Sequence, residues 1–198
     1  MTETNFYMDP QRYCGRPVKT TGAEHCSDPV NRTEEELSCY DLLDGLGIFY
    51  ERVDHSAADT IEDCLTVEQV LGTPVCKNLF LCNRQKTEFY LLMIEGGKVF
   101  HTKDLSKQLE VSRLSFAGPE DMQRLLGVRP GSVTVLGLKN DREKQVHLVL
   151  DRPIREAEKV ACHPCISTST VAFKTSDLLQ VLLPALEHEP TFVDLPDE

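Results

Sequence analysis

Apolar residues fall into short runs separated by polar turns, and the spacing within each run sets the element it predicts. Thr33-Glu34-Glu35-Glu36 has the form of a helix start, a Thr cap followed three positions later by Glu. Leu37, Tyr40 and Leu43, with Leu42 or Leu46, then repeat at helical spacing until Gly45 and Gly47. Residues 48–53 read as a strand, and residues 60–71 as a second helix stopped by Gly72 and Pro74. Two apolar runs, 77–82 and 88–94, flank the polar stretch 83–87 and predict a hairpin. Short helices are predicted over 104–109 and 119–126, each opening near an acidic residue or a proline. Residues 131–138 and 145–150 read as two strands joined by the polar 139–143. A short strand at 171–173, a helix over 178–186 capped from Thr175-Ser176-Asp177, and a last strand at 191–193 complete the pattern. Strands interleaved with helices at irregular intervals predict an α/β fold, a single domain with a mixed central sheet flanked by helices. Residues 1–32 show little periodicity and many turn formers; they read as a loop-rich extension, leaving 33–198 as the domain.

Composition narrows this picture. A hydrophobic share of 40% over 198 residues is enough for an ordinary core. No window approaches the length of a membrane-spanning apolar run, and the polar, acidic N-terminus lacks a signal-peptide pattern. A cytoplasmic protein is therefore expected, with its 8 cysteines reduced. The net charge of −11 argues against nucleic-acid binding, because phosphate contacts need Lys and Arg. The charge is uneven, however. Residues 76–159 hold more basic than acidic side chains, while both flanks are acidic. That segment has the makings of a local positive face; a solvated surface of mixed charge explains it equally well.

No P-loop, GxGxxG, HExxH or GxSxG motif occurs, so nucleotide and nucleophile-elbow chemistries lack their usual signals. Cys162-His163-Pro164-Cys165 has CxxC spacing, but zinc needs a second pair, and Cys76 and Cys82 would serve only if the fold brought them close. No metal or cofactor is expected. Cys76 beside Lys77 has the form of an activated thiol, against the plainer reading of a small buried residue. Lys77 stands at the entrance to an apolar strand, where a cation can hold an anion or polarise a carbonyl; a strand-edge Lys is the ordinary alternative. Around Gly131, backbone N–H groups are able to donate to a carbonyl or phosphate, unless this is simply a Pro-Gly turn. His25, His55, His101, His147 and His188 show no partner spacing and read as structural or surface residues.

Several segments in order resemble the YbaK/prolyl-tRNA editing family: residues 66–70, Lys77-Asn78-Leu79-Phe80-Leu81, Leu114-Ser115-Phe116-Ala117, residues 126–134, Val149-Leu150-Asp151 and His163-Pro164. The resemblance spans roughly residues 35–195 and is nearest to freestanding deacylases of Ala-tRNA-Pro. It implies one α/β domain that hydrolyses the ester joining an amino acid to the terminal ribose of tRNA. It places the family's pocket lysine at Lys77, with Asn78 beside it. It places the glycine-containing wall at Gly131, Ser132, Val133 and Thr134, and the pocket histidine at His163. Val135 stands where close relatives carry Pro, Cys162 where they carry an aromatic residue, and Ser167 where they carry Asn; these changes bear on which amino acid is preferred.

An aminoacyl ester is already reactive, so positioning a water against its carbonyl supplies much of the rate. Lys77 is expected to orient the aminoacyl-ribose end and N–H groups near Gly131 to stabilise the oxyanion, with the neighbouring ribose hydroxyl helping to activate water. Selection by size is expected from His163 and the 131–134 wall, since a synthetase site built for Pro discriminates weakly against smaller Ala. Lys86, Lys98, Lys103, Lys107, Arg113 and Arg129 are candidates for phosphate contacts. The expected partners are the acceptor end of tRNA-Pro and prolyl-tRNA synthetase, with no membrane. Two alternatives fit the same residues: removal of Cys or another small amino acid, and a module that binds tRNA without hydrolysing it.

Overall fold

Phe89–Glu95 is an almost unbroken apolar run because the strand it forms is covered on both faces. Phe89, Leu91 and Met93 pack into the largest core cluster, while Tyr90, Leu92 and Ile94 face a second one. The computed structural model describes residues 12–15, 32–57 and 61–197. Its elements are β1 (Tyr13–Cys14), α1 (Glu34–Gly45), β2 (Tyr50–Asp54), α2 (Ile61–Leu71), β3 (Cys76–Cys82), β4 (Phe89–Glu95), α3 (Thr102–Gln108), β5 (Ser115–Phe116), α4 (Pro119–Leu126), a 3-10 helix (Val135–Asn140), β6 (Val146–Asp151), α5 (Arg152–Glu156), β7 (Lys159–Cys162), β8 (Ser169–Lys174) and β9 (Thr191–Val193). A final helix between β8 and β9 runs through Thr175–Asp177, a π-helical Leu178–Leu182 and Leu183–Ala185.

Two sheets result. A five-stranded mixed sheet has the order β5-β3-β4-β6-β9, and an antiparallel four-stranded sheet the order β1-β2-β8-β7. The expected mixed sheet is the first of these: β3 and β4 pair antiparallel, while β4, β6 and β9 run parallel. A single parallel bridge, Val75 with Ala161, joins the two sheets just before β3. The largest core cluster gathers α1, α4, the 3-10 helix and the final helix on one side of the mixed sheet. The second packs Leu105 of α3 with Leu81, Leu92 and Val149 on the other side. A third seats Val67 and Leu71 of α2 on Val53, Ala161 and Ala172 of the smaller sheet.

Local chemistry explains the elements. The Thr33 side chain accepts from the Glu36 N–H, as its capping position requires. Buried Arg32 pairs with Glu36 and Asp54, and Arg52 also pairs with Asp54, tying the start of α1 to β2. The β3–β4 turn is organised by Asn83, whose side-chain carbonyl accepts from the Thr87 N–H at 2.9 Å.

The strand expected over 131–138 does not form. Pro130 and Gly131 make a tight turn closed by the Ser132 N–H donating to the Arg129 carbonyl at 3.0 Å. The Thr134 hydroxyl oxygen then accepts from the Leu136 N–H and starts the 3-10 helix. A short apolar run buried all round carries no period to separate helix from strand, so the side-chain cap decides. The described part of the N-terminal extension differs from the loop reading at one place, where β1 pairs with β2; the rest of that reading lies outside the described residues.

Candidate active site

A cleft of about 850 Å³ opens where the two sheets meet, within the usual size range of a small-molecule site. β5 pairs with β3 only at Leu81 and Cys82, so the Lys77 end of β3, paired with β4 along one edge, forms part of the cleft wall beyond the reach of β5. Cys64 and Glu68 of α2, the 95–98 turn, Pro130 and Gly131, and the β7–β8 connection complete it. Of the site residues expected from sequence, Lys77, Asn78, Gly131, Val133 and His163 all line this cleft. They come from three separate stretches of chain.

Ser132 and Thr134 do not line it. Each instead builds the wall from behind. The Ser132 hydroxyl donates to the Arg129 carbonyl at 2.9 Å, and Thr134 is fully buried as the cap of the 3-10 helix and a hydrogen-bond partner of Cys162.

Lys77 donates from Nζ to the backbone carbonyl of Lys98 at 2.9 Å. One of its three protons is thus committed and the ammonium is anchored at the cleft edge. Asn78 donates from Nδ2 to the Cys76 carbonyl at 3.2 Å, which leaves Oδ1 buried with no hydrogen-bond partner among the described residues. An unmet buried acceptor costs about 1–3 kcal/mol, so an N–H donor reaching it is favoured.

His163 has its Nδ1 2.9 Å from the Ser169 carbonyl oxygen. A carbonyl only accepts, so Nδ1 carries the proton and Nε2 is the ring's acceptor. Burial pushes the ring's pKa down to about 4, with the Ser169 carbonyl opposing the shift, so the imidazole is neutral near pH 7. Behind it stands His55, whose Nδ1 faces the Ser56 carbonyl at 2.7 Å and whose Nε2 accepts from the Thr170 hydroxyl at 2.9 Å. Thr170 Oγ1 in turn lies 3.3 Å from His163 Nδ1. Burial lowers the His55 pKa as well. His55 shows no partner spacing in the sequence; the side chain that links it to His163, Thr170, lies 115 positions away, where no spacing rule reaches.

Two alternatives left open by the sequence close, and one expectation changes. Burial pushes the Cys76 thiol up to about 12, which removes it as a thiolate nucleophile. Cys76 and Cys82 sit at opposite ends of one strand, about 20 Å apart at strand rise, and so cannot complete a metal site with Cys162 and Cys165. Among the described residues no group of three or more His, Cys, Asp or Glu is arranged to hold a metal. Lys98 is not available to phosphate: its buried Nζ contacts Asp151 and the Leu195 carbonyl, each at 2.7 Å. Lys103, Lys107, Arg113 and Arg129 are exposed.

Residues 55–181, which hold every lining residue expected from sequence, match the model of the aminoacyl-tRNA editing domain. The chain belongs to that family. It is 33% identical over 156 residues to the prolyl-tRNA synthetase associated domain-containing protein 1 of Mus musculus, covering 77% of this chain and 91% of that protein. It is 29% identical over 140 residues to the prolyl-tRNA editing protein ProX of Acetoanaerobium sticklandii, covering 71% of this chain and 85% of that protein. The fold is shared with a solved structure described as a candidate trans-editing enzyme for prolyl tRNA synthetase, at a TM-score of 0.62 and 15% identity, covering 85% of this chain and all of that one. No helix among the described residues is long and apolar enough to cross a membrane.

Proposed function

We propose that this protein is a trans-editing hydrolase that removes a small amino acid, Ala first, from mischarged tRNA-Pro in the cytoplasm, with residues 33–198 as the working unit. The observation that carries the reading is the convergence of Lys77, Asn78, Gly131, Val133 and His163 on one cleft in a chain of the editing family. The names of the two relatives support tRNA-Pro as the substrate and prolyl-tRNA synthetase as a neighbour in the pathway.

Each lining group has a use in ester hydrolysis. The free protons of the Lys77 ammonium hold the aminoacyl-ribose end. Asn78 Oδ1 accepts from the α-amino group of the amino acid. Backbone N–H groups at the Gly131 turn donate to the carbonyl oxygen as it gains charge, and neutral His163 limits the depth open to the side chain. The attacking water is activated by the adjacent ribose hydroxyl, so the protein need not contribute a charged base.

The test is the release of amino acid from Ala-tRNA-Pro, Cys-tRNA-Pro and Pro-tRNA-Pro by the purified protein. Rapid loss of Ala alone is expected. Preferential loss of Cys would move the substrate while keeping the reaction, and decay of all three at the uncatalysed rate would overturn it.

A further inference from the structure

The turn that carries His163 also carries one member of a thiol pair that ester hydrolysis does not use; the other stands on α1. Cys165 ends the sequence Cys162-His163-Pro164-Cys165 and is held in a left-handed conformation at φ 61. Its sulfur accepts from the Cys39 thiol of α1 across 3.4 Å, and the Lys139 ammonium lies 3.8 Å from the same sulfur. Cys39 is wholly buried and Cys165 is 7% exposed, so the pair is reached from the Cys165 side. We propose that Cys39 and Cys165 are an oxidation site for hydroperoxides, closing to a disulfide that fixes the His163 turn to α1.

The surroundings single out Cys165 as the attacking sulfur. The Cys39 thiol donating to it lowers its pKa most; burial opposes that, and Lys139 adds to the lowering. Burial instead raises the thiols of Cys39, Cys64, Cys76 and Cys162. The first step is attack of the Cys165 thiolate on a peroxide oxygen. The O–O bond breaks, Cys165 becomes a sulfenic acid, and the other oxygen leaves as water or an alcohol after taking up a proton. The Cys39 sulfur then attacks the Cys165 sulfur. The S–O bond breaks, and hydroxide departs with the Cys39 proton as water. Two thiols and one hydroperoxide thus give one disulfide, one water and one further water or alcohol, with two electrons passing to the peroxide.

A disulfide is far shorter than the present sulfur separation, so closure draws Cys165 toward α1. His163 is two residues away in the same turn and moves with it. The effect on activity rests on the editing reading above; the chemistry of the thiol pair does not.

The experiment treats the full chain with hydrogen peroxide and reads intact mass, then peptides mapped without reductant. A loss of two hydrogens, a Cys39–Cys165 linked peptide and reversal by dithiothreitol are expected. In Cys39→Ser the link is absent and a trapping reagent labels a sulfenic acid at Cys165; in Cys165→Ser neither forms. A link between other cysteines, or none at all, overturns the site. Deacylation of Ala-tRNA-Pro before and after oxidation is the second arm. A fall of about tenfold is expected, given the sensitivity of oriented sites to small displacements, restored by dithiothreitol and missing in Cys39→Ser. An unchanged rate in the linked protein overturns the regulatory half alone. Absence of deacylation in the reduced protein is a failure of the editing reading, and the mass arm then still decides the thiol pair.

Discussion

Lys77 and Lys98 are joined end to backbone: the Lys77 ammonium donates to the Lys98 carbonyl at 2.9 Å, while the Lys98 ammonium points away into the protein toward Asp151. The two lysines therefore have separable roles. Lys77 is only half-buried, and its loss removes one hydrogen bond to a carbonyl at the cleft edge. Lys77→Ala is expected to slow release of Ala from Ala-tRNA-Pro by about 100-fold or more, the usual consequence of deleting one electrostatic stabiliser of the transition state. Its urea midpoint is expected to stay close to that of the parent. A variant that keeps its rate would remove Lys77 from the proposed chemistry.

Lys98 is expected to behave in the opposite way. Its ammonium meets Asp151 at 2.7 Å with both side chains buried, and the Leu195 carbonyl caps the same group. Although burial works against it, the bonds to Asp151 and Asp197 hold the Lys98 pKa above its ordinary value. Lys98→Met strands the Asp151 carboxylate, and removing one member of a buried pair costs about 3–5 kcal/mol. Thermal and urea unfolding are expected to show that loss. Unaltered unfolding would mean that the carboxylate finds water or a new partner.

His163 sets a pH dependence whose sign follows from its environment. Its pKa in the folded protein, about 4, lies below the ordinary 6.5 because burial disfavours the imidazolium. Between those two values the unfolded chain binds a proton that the folded protein does not. Stability present above pH 6.5 is therefore lost as the pH falls toward 4, by up to about 3 kcal/mol for this group. Comparing unfolding of the parent and His163→Gln at pH 7 and pH 4.5 isolates it: the parent is expected to lose more on acidification. Equal losses in both proteins would contradict the neutral, buried ring.

Much of this architecture is legible in the sequence. Helix α4 spans the residues expected because Pro119 opens it and Gly127, at φ 64, ends it in the left-handed region. The β3–β4 hairpin was readable from two apolar runs around Asn83. What sequence could not give was the result of contacts between distant residues. Arg152–Glu156 and Lys159–Cys162 form a short helix and a strand outside the elements expected from sequence, and the strand is completed by pairing with β8. His55 joins His163 only because Thr170 of β8 stands between them. The lining residues themselves were named through resemblance, since neither Lys77 nor His163 has a local motif that separates it from an ordinary strand-edge Lys or loop His.

Gly96 tests the meeting point of the two sheets. A Cβ there would stand 2.6 Å from the Val75 backbone carbonyl oxygen, and Val75 forms the bridge to Ala161. Backbone cannot swing aside as a flexible side chain does. Gly96→Ala is expected to destabilise by about 1–3 kcal/mol, the range for overpacking, and to weaken deacylation because the 95–98 turn carries the carbonyl that anchors Lys77. The check is unfolding together with single-turnover release of Ala. Parent-like values in both would show that the turn accommodates a methyl group.

Gly131 presents the converse case, strain without collision. Its φ is 86, and a Cβ added there meets nothing within 4 Å. A non-glycine residue in the left-handed region costs about 1–2 kcal/mol, so Gly131→Ala is expected to lose that much stability with no packing clash. The expected loss of rate is larger than that small cost suggests, because relief of the strain rotates the peptide planes of the turn and turns their N–H groups away from the position assigned to the ester oxyanion. Kinetics at saturating substrate separate the two effects: a fall in kcat with little change in KM is expected if these N–H groups act in the transition state. A stability loss accompanied by parent-like kcat would leave the turn as scaffolding, and the oxyanion would have to be stabilised from the Lys77 side of the cleft.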